Sequence, residues 1–202
     1  MDIVESTKLS QHLEPDEILE IMDGTLHRLA TNVEEFGGHI TRFMGDGFKA
    51  VFGEPVAREN DAEMAVRAGL RILEDAKKVA EELQERWKIS NFNVRVGVNT
   101  GMVAVGGFTE SDDTLMGLTV NLGARLESAA PPGGLLISQV TYQHVRGIFE
   151  IEPMKPVEAK GFDGEVEVYL VTSTKPTEFH TKTRGIEGIS TRMIGQIGRA
   201  HV

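Results

Sequence analysis

The chain has 202 residues, 40% of them hydrophobic, with 31 acidic against 21 basic side chains and a formal charge of −10. That length suits one domain with a tail, the acidity argues against holding DNA or RNA by phosphate contacts, and no apolar run reaches the roughly 20 residues of a membrane span. Cysteine is absent, which excludes disulfides, thiolate metal sites and cysteine nucleophiles; with no basic-then-apolar leader at the start, a cytoplasmic setting is expected.

The first long periodic segment is EPDEILEIMDGTLHRLATNVEEFGG, residues 14–38. Pro15 in the first turn and Asp16 and Glu17 at the positive helix end predict a helix there, and Ile18, Ile21, Met22, Leu26, Leu29, Val33 and Phe36 share one stripe. Gly37 and Gly38 stop it. HITRF and FKAVF follow as two short strands across the Gly45-Asp46-Gly47 turn. A long amphipathic helix is predicted over NDAEMAVRAGLRILEDAKKVAEELQERW, with Asn60 and Glu63 forming a capping box. FNVRVGVNTG alternates as a strand, and MVAVGG is expected as its hairpin partner. LTVNLGARLESAA is a shorter helix ended by Pro131-Pro132-Gly133-Gly134. LLISQ reads as a strand, VTYQHV as a short helix, and FEIEP and EVEVYLVT as late strands around the Lys160-Gly161 turn.

Helices and strands interleave, but several strands come in hairpin pairs. That predicts an α+β fold, a mixed sheet covered on one face by helices. From Ser173 the composition turns polar and Thr-rich and reads as a linker. The domain division is thus 1–172 for the folded domain, 173–196 for a linker, and 197–202, IGRAHV, for a non-native tail.

Three local patterns bear on chemistry. Asp-Gly at a hairpin is common for conformational reasons, so Asp46 alone reads as a turn residue. Asp2 alone carries no signal. Asn121 and Arg125 are four apart on a predicted helix and share one face; Arg offers a planar fork of donors to a phosphate, and Asn a neutral donor.

Taken together and in order, these patterns resemble the catalytic domain of class III adenylate and guanylate cyclases. The shared pattern is Asp-Ile at a strand end, a helix, a hairpin with Gly-Asp, a long helix, a strand like VRVGVNTG, and then Gly-x-x-Val-Asn-x-x-x-Arg. The resemblance runs from Asp2 to about Val171. It implies the ferredoxin-like mixed-sheet fold of that family and conversion of ATP to cyclic AMP and pyrophosphate. It further implies two Mg2+ or Mn2+ ions held by Asp2, Asp46 and the Ile3 carbonyl, with the amides of Val4, Glu5, Ser6 and Thr7 toward phosphate oxygens. Asn121 would orient the ribose, Arg125 would stabilise the α-phosphate, and Lys160 would sit near the terminal phosphates. The implied assembly is a head-to-tail homodimer in which one chain supplies the two Asp residues and the other supplies Asn121 and Arg125.

At the family's base-selecting positions stand Arg42, where Lys is usual, and Thr114, as in the subgroup with bicarbonate-responsive adenylate cyclases. A Thr hydroxyl can accept from an adenine amino group. The Glu and Cys pair expected for guanine is absent, so ATP is the expected substrate. The alternative is a catalytically silent cyclase-like module that dimerises or senses a ligand. A sheet that binds RNA is disfavoured by charge and by the lack of aromatic signatures.

The family's first strand usually begins several residues before its Asp, whereas here Met1 directly precedes Asp2. The expectation is therefore a shortened first strand, Asp2 on a frayed end, low stability, and little or no activity for the chain as written. The TRGIEGISTRMIG stretch resembles a junction leading to an ATPase-type signalling module, so a longer parent protein is expected.

Overall fold

The computed structural model describes residues 1–6, 14–105, 115–159, 161–162 and 164–176. Thr7, Thr114, Lys160 and the proposed tail at 197–202 lie outside them, as does most of the proposed linker.

Strand β1 is Asp2–Ile3, helix α1 is Pro15–Glu35, and β2 (His39–Met44) and β3 (Gly47–Val51) form the hairpin. Helix α2 is Asp61–Trp87, followed by β4 (Val94–Val98), β5 (Ala104–Val105) and β6 (Leu115–Met116). Helix α3 is Leu118–Ala129, β7 is Leu135–Ser138 and α4 is Gln139–Val145. The last strands are β8 (Phe149–Pro153), β9 (Val157–Glu158), β10 (Glu165–Val166) and β11 (Val168–Thr174).

The main sheet has the order β2-β3-β1-β4-β7-β11-β8. Only β4 and β7 run parallel; every other neighbouring pair is antiparallel. This is the expected α+β architecture with a mixed sheet. Helices α1 and α2 cover one face, where Leu26, Leu29, Val33, Val66, Leu73, Val79 and Leu83 meet Phe48, Val94, Val96, Leu135 and Ile137. Each fully buried aliphatic side chain of this kind contributes about 1.5–3 kcal/mol of apolar burial.

The structure corrects three local expectations. First, helices lie on both faces of the sheet: α3 packs its Leu122 and Leu126 with Leu136, Ala159 and Val168 on the side opposite α1 and α2. The four residues of β7 are all buried for that reason, with Leu135 and Ile137 in one core and Leu136 in the other. Second, the segment after β4 does not pair with it. Both edges of β4 are taken, by β1 and β7, so Ala104–Val105 pairs instead with Leu115–Met116. Third, Asn60 occupies the N-cap of α2 without a side-chain cap bond, and Glu63 pairs with Arg67 at 2.8 Å. A capping box does form at α1, between Glu14 and Glu17, a pair not expected to form one.

Candidate active site

Strand β1 lies inside the sheet, between β3 and β4, and its residues are bonded on both sides. The Met1 ammonium donates to the Phe48 carbonyl at 3.1 Å, and the Phe48 amide donates back to the Met1 carbonyl at 3.0 Å. The Ile3 amide donates to the Asp46 carbonyl and the Val4 amide to the Asn93 carbonyl, both at 2.9 Å. Ile3 itself is only 1% exposed. Asp2 therefore sits on a paired strand rather than on a frayed end, anchored by a short ladder and one buried side chain.

Asp46 reaches the same place from the β2–β3 turn. Gly47 is what lets the two backbones approach: a Cβ there would lie 2.3 Å from the Met1 carbonyl oxygen, far inside contact distance. The Ser6 hydroxyl donates to Asp46 Oδ2 at 2.8 Å and fixes that carboxylate. Ser6, expected to offer its backbone amide to a phosphate, here uses its hydroxyl to hold Asp46.

The Asp2 carboxylate is electrostatically strained. Burial, the Asp46 charge, the Glu127 charge and a hydrogen bond shared with Asp46 push Asp2 up to about 6, and the Met1 ammonium works against the rise. Glu127, on α3, was not singled out by sequence. Burial and the Asp46 charge raise its carboxyl, while the Met1 ammonium, Arg95 and a Ser128 bond oppose this. Half-buried acids held this close favour a proton or a cation between them.

Asp2 and Glu127 border a cavity of about 290 Å3 between β3, β4, α2 and α3, lined mostly by apolar groups such as Ala50, Ile72, Val96 and Val98. Asn121 and Arg125 point elsewhere. Both are exposed on α3, and Arg125 borders a separate recess with Glu158, Ala159, Phe162, Gly164 and Glu165, at the β9–β10 hairpin. Within one chain the site residues thus divide into two groups: Asp2, Ile3 and Asp46 on one side, Asn121 and Arg125 on the other. Arg42 is exposed on β2 opposite Lys49, next to an irregularity in the β2–β3 register. Val4 and Glu5 form the turn after β1, with Glu5 at a φ of 54°.

Among the described residues no three His, Cys, Asp or Glu side chains cluster as a metal site. The donor set at Asp2 and Asp46 nevertheless fits a hard divalent cation. Mg2+ is typically held by one or two carboxylates with substrate phosphates completing the shell, and Asp2 and Asp46 supply two such carboxylates side by side.

Comparison with known proteins identifies the family of the domain. Residues 1–173 match the family model described as the adenylate and guanylate cyclase catalytic domain. The chain is 27% identical over 178 residues to soluble guanylate cyclase gcy-31 of Caenorhabditis elegans, covering 85% of this chain and 25% of that protein. It is also 27% identical over 175 residues to adenylate cyclase 1 of Rhizobium meliloti, covering 84% of this chain and 26% of that one. It therefore spans about a quarter of the length of these relatives. Among solved structures, the adenylyl cyclase CyaB from P. aeruginosa superposes with a TM-score of 0.81 at 30% identity, covering 86% of this chain and 91% of that one. The guanylate cyclase domain of RhGC from Catenaria anguillulae, in complex with GTP, gives 0.74 at 27% identity, covering 86% and 93%. With a family model spanning residues 1–173 of 202, the chain belongs to the adenylate and guanylate cyclase catalytic-domain family.

Proposed function

We propose that this domain converts ATP to 3′,5′-cyclic AMP and pyrophosphate. The observation that carries the reading is the meeting of Asp2 and Asp46 at the end of β1, with Ser6 holding one carboxylate. These two side chains and the Ile3 carbonyl would hold Mg2+ or Mn2+. Such ions, when bound, make the 3′ hydroxyl more acidic and neutralise the triphosphate. In the reaction the ribose 3′ oxygen forms a bond to the α-phosphorus, the bond from that phosphorus to the pyrophosphate oxygen breaks, and the 3′ proton passes to water.

The remaining roles fall to groups of this chain. The amides of Val4, Glu5, Ser6 and Thr7 would meet the phosphate oxygens. Arg125 offers its guanidinium to charge growing on the α-phosphate, and Asn121 orients the ribose. Lys160 acts at the terminal phosphates. Because Asn121 and Arg125 face away from Asp2 within one chain, two chains complete the site, arranged head to tail. Arg42 and Thr114 read the base. Thr114 can accept from the adenine amino group, and the Arg42 fork supplies a donor in place of the usual Lys.

The direct test is product formation from ATP and from GTP with Mn2+ or Mg2+, followed by chromatography. Cyclic AMP as the main product is expected. Cyclic GMP as the main product would reverse the assignment of the base, and no product from a folded dimer would favour the silent-module reading. The described residues contain no helix long and apolar enough to cross a membrane. An ATPase-type module downstream belongs to the same proposal for the longer parent.

A further inference from the structure

We propose that Asn99 is a positioning residue that sets the place of Asn121 and Arg125 by fixing α3 on the sheet; the inference rests on the cyclase reading of those two side chains. Helix α3 begins without a capping side chain: its N-cap is Gly117, at a φ of 137°, with no side-chain cap bond. The first backbone N–H groups of a helix have no intrahelical partner, and no side chain at the start of α3 caps them. Something else must locate it.

That something is the α3-facing side of β4. Side chains alternate along a strand, so residues 95, 97 and 99 share one face, and each of them meets α3. Arg95 Nη1 donates to the Ser128 carbonyl near the helix end at 3.0 Å. Gly97 lies under the middle of the helix, where a Cβ would stand 2.4 Å from the Gly123 carbonyl oxygen and 2.3 Å from the Glu127 amide nitrogen. Asn99 Nδ2 donates to the Thr119 carbonyl in the first turn at 2.9 Å. Strand and helix run in opposite directions, and the three contacts peg the helix at its end, middle and start.

The peg at Asn99 is itself held rigid. Its Oδ1 accepts from the Ser138 hydroxyl at 2.6 Å. Ser138 is 1% exposed and sits at the end of β7, where it also contacts the Thr141 hydroxyl at 3.2 Å. Thr141, fully buried, contacts the Thr100 hydroxyl at 3.0 Å. The amide of Asn99 thus has both ends assigned, the acceptor to the sheet and the donor to the helix. The same loop grips the same turn a second time, because Thr119 Oγ1 donates to the Met102 carbonyl at 2.7 Å. Asn121 follows Thr119 by two residues, and Arg125 lies about one turn further on.

Asn99 touches no reacting atom in this arrangement. Its effect passes through the first turn of α3 to side chains that must meet a phosphate and a ribose supplied across a dimer. An error of about 1 Å in such a placement costs on the order of 100-fold in rate. Interactions made only in the transition state show in kcat rather than in KM.

The test compares wild type with Asn99→Asp, which keeps the acceptor for Ser138 and removes the donor to Thr119, and with Asn99→Ala and Ser138→Ala. Two readouts are taken: steady-state kinetics with Mn2+ and ATP, corrected for folded protein, and the side-chain cross-peaks of Asn121 and Arg125 in NMR spectra of the metal-free chain. The expected result for Asn99→Asp is a kcat lowered about 10- to 100-fold with KM changed less than about threefold, and shifted Asn121 and Arg125 cross-peaks. Ser138→Ala, which frees the peg without removing it, should fall between. Unmoved cross-peaks, or a rate loss fully explained by loss of folded protein, would overturn the proposal. If wild type cyclises neither ATP nor GTP, the cyclase reading fails by itself, and the cross-peak comparison still decides whether Asn99 positions Asn121.

Discussion

Replacing Asp2 by Asn should make the metal-free protein more stable above pH 6 and leave it nearly unchanged at pH 4. The Asp2 carboxyl rises from 3.8 to about 6 on folding, so between those values the folded state keeps a proton that the unfolded state has lost. Stability contributed by that proton falls as pH rises through the window, and the full penalty of the ionised carboxylate is present above about pH 6. The shift corresponds to a ceiling of about 3 kcal/mol at about 1.36 kcal/mol per pH unit. Asp2 is half-exposed, and solvent screening reduces that to about 1–1.5 kcal/mol. For a domain of this size the expected gain in Tm at pH 8 is about 2–6 °C. The assay is urea denaturation of wild type and Asp2→Asn in EDTA at half-unit steps from pH 4 to 8. A difference between the two proteins that stays flat with pH would refute the reasoning, as would a variant less stable than wild type at pH 8. Adding millimolar Mn2+ at pH 8 should reverse the order, because the ion stabilises the two-carboxylate site and has one ligand fewer in the variant.

Two further outcomes follow from the geometry. Asp46→Ala and Arg125→Ala should each be nearly inactive alone and recover about a quarter of wild-type activity when mixed, since half of the random dimers are mixed and each of those has one intact site; no recovery on mixing would place the whole site within one chain. An apolar, β-forming tetrapeptide joined before Met1 should raise the unfolding midpoint, because by the register of Asp2 with Gly47 and Arg95 its residues would run between Lys49–Val51 and Gly97–Val98, into the apolar cavity. Each fully buried aliphatic side chain there is worth about 1.5–3 kcal/mol, and an unchanged midpoint would show that the cavity does not accept a strand.

Much of this molecule was legible in its residues because the relevant signals are local. The periodicity of Leu26, Leu29 and Val33, and of Val66, Leu73 and Val79, reports a buried helix face wherever the helix packs. The Gly-Asp-Gly turn needs only its own backbone preferences, and the ordered motifs from Asp2 to Arg125 point to the family. What surrounds them was not legible. Glu127 and Ser6 gain their bearing on Asp2 and Asp46 only when α3, β1 and the hairpin converge, across a separation of 40 residues for Ser6 and Asp46. The failed hairpin of β5 with β4 has the same origin: β4 had already been claimed on both edges by strands distant in sequence.

The sequence by itself determined the α+β class, the helix faces and the residue types that can carry phosphoryl chemistry, since each depends on neighbours within a turn or a hairpin. The tertiary structure decided how those residues are grouped. It joined Asp2 to Asp46 through the backbone approach at Gly47, turned Asn121 and Arg125 away from them, and pegged α3 at Arg95, Gly97 and Asn99. Such groupings are contacts between segments far apart in the chain, set by which strand finds which edge of the sheet, and no local pattern of residues encodes that choice.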